Sequence, residues 1–202
     1  MPLTIIVPPA SEPVTLAEAK LHLRVDSSSE DSMISMLITS ARMQAEAMTG
    51  RQLMPATILM TMDYFPCART MDSGIGFSLP GNAIIFQVAP VTAVNSVQYL
   101  DQSQVWRTID PNDYVVDLAS DSARIHLRFG AVWPIPAQQI GSVRVEFDAG
   151  YANAAAVPTP IKQWILMTTS SGYSQREGVT AKQMAMTPFL AGLLDPYKVM
   201  AL

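Results

Sequence analysis

The stretch DSMISMLITSARMQAEAMTG, residues 31–50, decides the fold of this chain. Its apolar side chains recur at intervals of three and four, which places them on one face of an α-helix of about 20 residues. They are Ile34, Leu37, Ile38, Ala41, Ala45 and Met48. Gly50 readily adopts the left-handed conformation that ends a helix. Since Ala41 and Ala45 are small, a second helix can approach this face closely.

Two capping patterns precede this helix. Thr15-Leu16-Ala17-Glu18 is a capping box, in which the Thr hydroxyl and the Glu carboxylate satisfy free amides at a helix start. It predicts a short helix that ends near Arg24. Ser27 and Glu30 form a second possible box at the start of the long helix, and acidic residues there suit the positive end of the helix dipole.

Helical signals return in the last third of the chain. Thr159 is predicted as the N-cap and Pro160 as the first helical residue. One face is then formed by Ile161, Trp164, Ile165 and Thr168. We expect this helix, at 160–174, to pack against the helix at 28–49. A last short helix is predicted at 189–199, where Pro196 interrupts it.

Between the helical segments the pattern changes to short alternating runs separated by Asp, Asn, Gly and Pro, which indicates β-strands joined by turns. Six strands are predicted: Thr57–Phe65, Ala83–Gln87, Val94–Leu100, Tyr114–Asp117, Arg124–Arg128 and Val143–Asp148. The small and polar stretch Cys67–Ser78 is predicted to form a loop. Near the start of the chain, Thr4–Pro13 is extended and apolar, and is predicted to be an arm or an edge strand.

Together these elements predict an α+β fold. N- and C-terminal helices form a helical layer around a central antiparallel sheet or small barrel, which is inserted between them. The predicted division is an N-terminal arm at 1–14, a helical part at 15–55, a β-rich part at 56–150, and C-terminal helices at 157–202 that complete the helical part.

The composition indicates a surface that partners cover. Charged residues make up 15% of the chain, compared with about 25% in ordinary soluble domains. This shortage, together with 13 Met residues, favours an obligate oligomer over a monomer. The net charge of −4 and the lack of a basic cluster argue against tight nucleic-acid binding. We expect no membrane span, no secretory signal and no disulfide, and therefore a protein made in a reducing cytosol.

Motifs for enzyme chemistry are absent from the sequence, including phosphate loops, metalloprotease signatures, nucleophile elbows and CxxC pairs. Asp110, Asp113 and Asp117 lie close together but lack EF-hand spacing, so they are interpreted as turn and strand-edge carboxylates. His22 and His126 are expected to be structural, and the single cysteine incidental. We therefore expect no catalytic residues, no metal and no cofactor.

The large side chains fall into two groups. Three tryptophans are expected to anchor the core: Trp106, Trp133 and Trp164. Three methionines lie partly off the apolar stripe of the long helix: Met33, Met36 and Met43. Since methionine adapts to irregular spaces, these three either widen the core face or line a surface between subunits.

Several motifs occur in order along the chain. They are Val14–Lys20, His22–Asp26, Glu46–Arg51, Tyr114–Asp117, Gly130–Pro134, Val143–Tyr151, Val157–Ile165 and Leu194–Lys198. In this order they resemble the phage head-tail connector (adaptor) family, the group of gp6-like and phiE125 gp8-like proteins. The likeness extends over about residues 12–200. The stretch 171–177 departs from it, because the helix there is richer in Ser and Thr.

The resemblance implies a structural protein and not an enzyme. Connectors of this family form a ring of about a dozen copies beneath the portal, in head-to-tail contacts. The implied partners are further copies of the chain, the portal protein, the tail or the next neck protein, and double-stranded DNA that passes through the lumen without sequence recognition. The implied location is the virion neck, after synthesis in the host bacterial cytoplasm.

The candidate interface residues are Met33, Met36, Met43, Phe189, Leu193, Leu194 and Tyr197. The helical layer is predicted to make the ring contacts, and the segment 178–202 to dock to the portal. A chain truncated at about Gly178 should then fold but fail to bind. Two alternatives stay open. One is a tail-completion or minor capsid protein, and a more remote one is an enzyme with a dispersed site built from His22, His126 and Asp residues.

Overall fold

A computed structural model describes residues 2–66, 82–119, 122–175, 190 and 192–199. They form two compact units. The helical unit comprises Pro9–Pro55 and Tyr151–Val199, and the β-rich unit comprises the chain up to Pro8 together with Ala56–Gly150. The α+β prediction is confirmed, because the helices and the antiparallel strands occupy separate units. The predicted loop at Cys67–Ser78 lies outside the described residues.

Helix α1, Leu16–Leu23, begins at the capping box that the sequence predicts. The Thr15 hydroxyl accepts from the Glu18 amide at 3.2 Å, and the Glu18 carboxylate accepts from the Thr15 amide at 2.7 Å. The bond from the Thr15 amide, followed by that from its hydroxyl, lowers the pKa of Glu18 below its ordinary value. Arg24 ends the helix in the left-handed conformation, with a φ of 58°.

Helix α2, Asp31–Thr49, buries the face that the apolar spacing predicts. The buried apolar residues of this face are Ile34, Ile38, Ala41 and Ala45. Gly50 ends the helix with a φ of 68°. The prediction of a second capping box at Ser27 and Glu30 is wrong, because Glu30 is the N-cap and its side chain makes no capping hydrogen bond. The Ser27 hydroxyl instead forms hydrogen bonds with the hydroxyl and the backbone amide of Ser29, within the turn that precedes α2.

Helix α3, Thr159–Ser174, starts one residue earlier than predicted, because Pro158 is the N-cap and Thr159 already lies in the helix. Its buried residues are Ile161, Trp164, Ile165 and Thr169. α2 packs against α3, as the sequence predicts, and α1 packs against both. The approach is close at Gly172, where an added Cβ would lie 3.0 Å from Leu37 Cδ2. The core of the helical unit lies between these three helices.

The β-rich unit contains eight described strands: β1 Leu3–Val7, β2 Ala56–Met62, β3 Ile84–Ile85, β4 Val91–Leu100, β5 Trp106–Thr108, β6 Tyr114–Asp117, β7 Arg124–Leu127 and β8 Val143–Ala149. They form an antiparallel sheet of order β1-β2-β8-β4-β5 and a second of order β3-β7-β6. In the part of the chain that the structure describes, these sheets do not close into a barrel. All six predicted strands are present, and β5 is an additional one.

The core of the β-rich unit follows the alternation of β2 and β8. Phe147 on β8 is fully buried, with its ring centroid 4.6 Å from that of Phe86. Trp133 is half-buried and stacks on Phe65 at 4.7 Å. The expectation of a core position is wrong for Trp106, which is 37% exposed. Trp106 lies on the edge strand β5, where the guanidinium carbon of Arg144 lies 4.0 Å from its ring centroid.

Replacing Thr15 by Ala should lower the free energy of unfolding by about 1 kcal/mol, because the first turn of α1 loses its cap. Ser27→Ala is the matched control and should change it by less than about 0.5 kcal/mol, since Ser27 caps no helix. Urea unfolding followed by far-UV circular dichroism measures both. Equal losses from the two substitutions would contradict the assignment of the cap.

Candidate assembly surfaces

The outer face of α2 carries an open groove of about 530 Å³. Its lining residues are Met36, Thr39, Ser40, Met43, Gln44 and Ala47. With 3.6 residues per turn, these positions lie opposite the buried face of the same helix. Met36 is 67% exposed and Met43 is 59% exposed, so these two side chains do not widen the core. Met33 is half-buried beside them.

The groove is uncharged. The outward surface of a helix is ordinarily rich in charged side chains, yet none of the six lining residues carries a charge. The charged residues in the second half of α2 are Arg42 and Glu46. They lie on the side of the helix between its buried face and the groove, where they form an ion pair with each other. An exposed groove without charged residues is therefore a candidate for a contact with a partner.

A buried ion cluster borders the groove. Arg42 is 7% exposed; its Nε donates to Glu12 Oε2 and its Nη1 to Glu46 Oε2, both at 2.7 Å. The other carboxylate oxygen of Glu46 accepts from the Leu53 amide at 3.0 Å. Burial raises the pKa of Glu46, although the Leu53 amide and Arg42 oppose this effect. Thr39, which lines the groove, donates to Glu12 at 2.9 Å, so the cluster also fixes one border of the groove.

The C-terminal candidate residues separate into core and surface positions. Leu194 is fully buried in the helical unit, so its side chain is unavailable to a partner. Leu193 and Tyr197 are half-buried and pack against the same core. Phe189 lies outside the described residues. The helix predicted at 189–199 is replaced near its end by a 3-10 turn at Asp195–Tyr197, because Pro196 interrupts helical hydrogen bonding.

These C-terminal contacts change the expectation for a chain truncated at Gly178. The Arg51 Nε donates to the Tyr197 carbonyl at 2.6 Å, and the Val199 amide donates to the Thr49 carbonyl at 2.7 Å. Truncation would remove these bonds and the buried Leu194 side chain, which would leave a cavity in the core. The truncated chain should therefore be destabilised, and it is not a clean test of docking.

The segment between β7 and β8 also exposes large apolar side chains, and sequence reasoning did not single them out. Its large apolar side chains are Phe129, Val132, Ile135 and Ile140. Phe129 is 108% exposed and Ile140 is 91% exposed. The only signal in the sequence is a run of apolar residues without a helical or strand period, which ordinarily indicates a loop.

The residues considered for enzyme chemistry are dispersed. His22 is exposed on α1 in the helical unit, and His126 is half-buried on β7 in the β-rich unit. Asp110 accepts from the backbone amide two residues on, and Asp117 pairs with Arg124 at 3.0 Å. Within the described ranges, no group of three His, Cys, Asp or Glu side chains could hold a metal ion. The helices there include none that is long and apolar enough to cross a membrane.

Residues 13–97 match the family model of the phage gp6-like head-tail connector protein. The matched region contains the Thr15 capping box, α1, α2 and the strands from β2 into β4. A search of curated proteins gives no significant match.

Three solved structures share the fold over the whole chain. One comes from the virion of a native gene transfer agent (GTA) particle, at 19% identity and a TM-score of 0.79. A second comes from the neck of an empty GTA particle computed with C6 symmetry, at 19% sequence identity and a TM-score of 0.76. A third comes from the neck of a native GTA particle computed with C12 symmetry, at 18% sequence identity and a TM-score of 0.75. Each alignment covers 100% of this chain and 97% of the other. At these identities the likeness establishes the fold.

Replacing Arg42 by Met should lower the free energy of unfolding by about 3 to 5 kcal/mol at neutral pH, because two carboxylates lose their shared cation. The pKa of Glu46 in the folded chain lies above its ordinary value of 4.5. Its protonated form therefore favours folding below that value, and this contribution is lost as the pH rises through the folded-state pKa. Removing Arg42 strengthens this dependence, so the variant should recover towards the unaltered chain at acid pH. Urea unfolding at a series of pH values measures the difference.

The double variant Arg42→Met, Glu46→Gln is the control for this prediction. It should be more stable at neutral pH than Arg42→Met alone, because an uncharged amide is less costly to bury than an unpaired carboxylate. A loss of stability that is the same at every pH would rule out Glu46 as its source.

Proposed function

We propose that the chain is one subunit of a structural ring at the neck of a phage-like particle, because residues 13–97 match the family model of the phage gp6-like head-tail connector protein. The family match is the observation that carries the proposal. The fold likeness to chains of GTA particles supports it, because the alignment includes the β-rich unit and α3, which lie mostly beyond the matched region.

Ring assembly is supported by the symmetry of related particles. The GTA necks were computed with C6 and C12 symmetry. If this chain assembles with the same symmetry, it forms a ring of about a dozen copies in heterologous, head-to-tail contacts. An uncharged surface suits the centre of such contacts, and the chain offers uncharged positions in the α2 groove and at Phe129–Ile140. The candidate residues for these contacts are Met33, Met36 and Met43.

The proposed partners outside the ring are the portal protein on one side and the tail or the next neck protein on the other. Phe189, Leu193 and Tyr197 are the candidate residues for docking to the portal. Double-stranded DNA would pass through the lumen without sequence recognition, and a net charge of −4 suits a channel that does not hold phosphates. The site of action would be the virion neck, after synthesis in the host bacterial cytoplasm.

A tail-completion or minor capsid role is the second candidate. The same apolar surfaces would serve it, and the choice of binding partner separates the two. An enzymatic role has less support, because the matched family is structural and the histidines lie in different units.

The mass of the purified chain, alone and mixed with its portal, tests the proposed function. We expect either a ring of the chain alone or a monomer that joins the portal in a fixed ratio, because a connector follows the symmetry of the portal. Static light scattering after size exclusion measures the mass. A monomer that ignores the portal and binds tail-tube protein would favour the tail-completion role.

Replacing Phe189 by Asp should weaken binding to the portal by about tenfold, because an aromatic side chain proposed for the interface is replaced by a charge that must be desolvated on binding. Leu118→Asp is the matched control: it adds the same charge at an exposed residue of the β-rich unit outside the proposed surfaces. The binding of each variant to surface-immobilised portal protein measures the two affinities. Equal weakening by the two variants would count against docking through Phe189.

A further inference from the structure

The residues of the α2 groove are arranged as two adjacent holes. Met36, Thr39, Ser40 and Met43 stand at positions i, i+3, i+4 and i+7 of the helix, and Ser40, Met43, Gln44 and Ala47 repeat this spacing. Four side chains in this arrangement form the hole that receives one side chain from a partner helix. Ser40 and Ala47 are small, which lets the entering side chain reach far into each hole. The small residues and the lack of charge therefore make this helix face suitable for side chains of a partner helix.

Helix α1 presents a side chain that fits such a hole. Leu21 is 82% exposed, although Ala19, on the opposite side of the same short helix, is fully buried. Among the described helices, the large apolar side chains that are exposed are Leu21, Met36 and Met43. Two of them line the groove, and the third stands on another helix of the same unit. The helical unit thus carries a projecting apolar side chain and a groove at two different places.

The charges near these two places are complementary. Glu12 and Glu46 share the single cation of Arg42, which leaves one negative charge in excess beside the groove. Arg24 follows Leu21 by three residues, about one helical turn, and is exposed without an ion pair in the described part of the chain. Glu12 is hydrogen-bonded to Thr39, which lines the groove, so a carboxylate lies beside the groove and a guanidinium lies beside Leu21.

We propose that Leu21 on α1 of one copy docks into the α2 groove of the next copy, with Arg24 beside Glu12. This inference rests on the proposed ring, because a closed ring requires each copy to present two different surfaces that meet head to tail. A two-fold pair with groove against groove would leave Leu21 uncovered, and a reciprocal two-fold pair of Leu21 and groove would close after two copies and form no ring. The occupant of the groove is thus a second copy of this chain.

Cross-linking of chains with one cysteine each tests this contact. The native Cys67 is replaced by Ser, and Leu21→Cys and Ser40→Cys are introduced into separate chains, both at exposed positions. The chains are assembled on portal rings, singly and as a mixture, and treated with a short bis-maleimide. We expect a dimer from the mixture and none from either chain alone. A chain with both substitutions should give a ladder of dimers, trimers and larger species.

The outcomes separate this contact from the proposed function. A dimer from Ser40→Cys alone would reveal a two-fold contact between α2 helices and overturn the proposal. Complete rings, verified by light scattering, that give no cross-link in the mixture would also overturn it while the connector function stands. If the unaltered chain forms no ring and does not join the portal, the connector function itself fails.

Substitution of Arg24 gives an independent measurement. Arg24→Glu should weaken assembly on the portal by about tenfold, because like charges then meet at Glu12. Arg24→Lys should keep most of the assembly, since the charge is retained. Arg144→Glu, at an exposed arginine of β8 in the β-rich unit, is the matched control and should assemble normally. Equal effects of Arg24→Glu and Arg144→Glu would contradict the contact, since they would report only the change in net charge.

Discussion

The close packing of α2 on α3 is the contact on which the helical unit depends. Ala41 and Ala45 are small and buried, and Gly172 leaves room for Leu37, because an added Cβ there would lie only 3.0 Å from Leu37 Cδ2. Such proximity between helix backbones buries the large side chain of Trp164 completely. Because one face of α2 is buried in this way, its opposite face is exposed to solvent, and the candidate groove lies there. One side of α2 thus packs in the core of the unit, and the other side carries the candidate groove.

The ion cluster of Glu12, Arg42 and Glu46 keeps that second face free of charge. Burying these groups is costly in itself, and their mutual bonds offset much of the cost. The benefit appears at the surface, because a partner that covers an uncharged groove has no ion to strip of water. The cluster also ties the segment before α1 and the turn after α2 to the middle of α2 through Glu12 and Leu53.

The parts of this fold that the sequence predicts are those set by neighbouring residues. The Thr15 box, the buried face of α2 and the six strands depend on local spacing, and the structure has them all. Trp106 and Leu194 were assigned to the wrong environment for the same reason. Both are apolar, and only the tertiary fold decides that an edge strand leaves Trp106 uncovered while Leu194 is enclosed. The sequence does place Met36 and Met43 off the core stripe, but it does not decide between core and surface.

The division into two units also affects the order in which parts of the chain can fold during synthesis. The β-rich segment Ala56–Gly150 lies between α2 and α3 in sequence, so a growing chain exposes α2 long before its packing partner exists. A helix of this length holds little structure in water without tertiary support. The β-rich segment can complete its own core first, whereas the helical unit must wait for contacts distant in sequence. The buried face of α2 therefore stays without its packing partner until α3 has been made, so the helical unit is completed only when the chain is nearly complete in length.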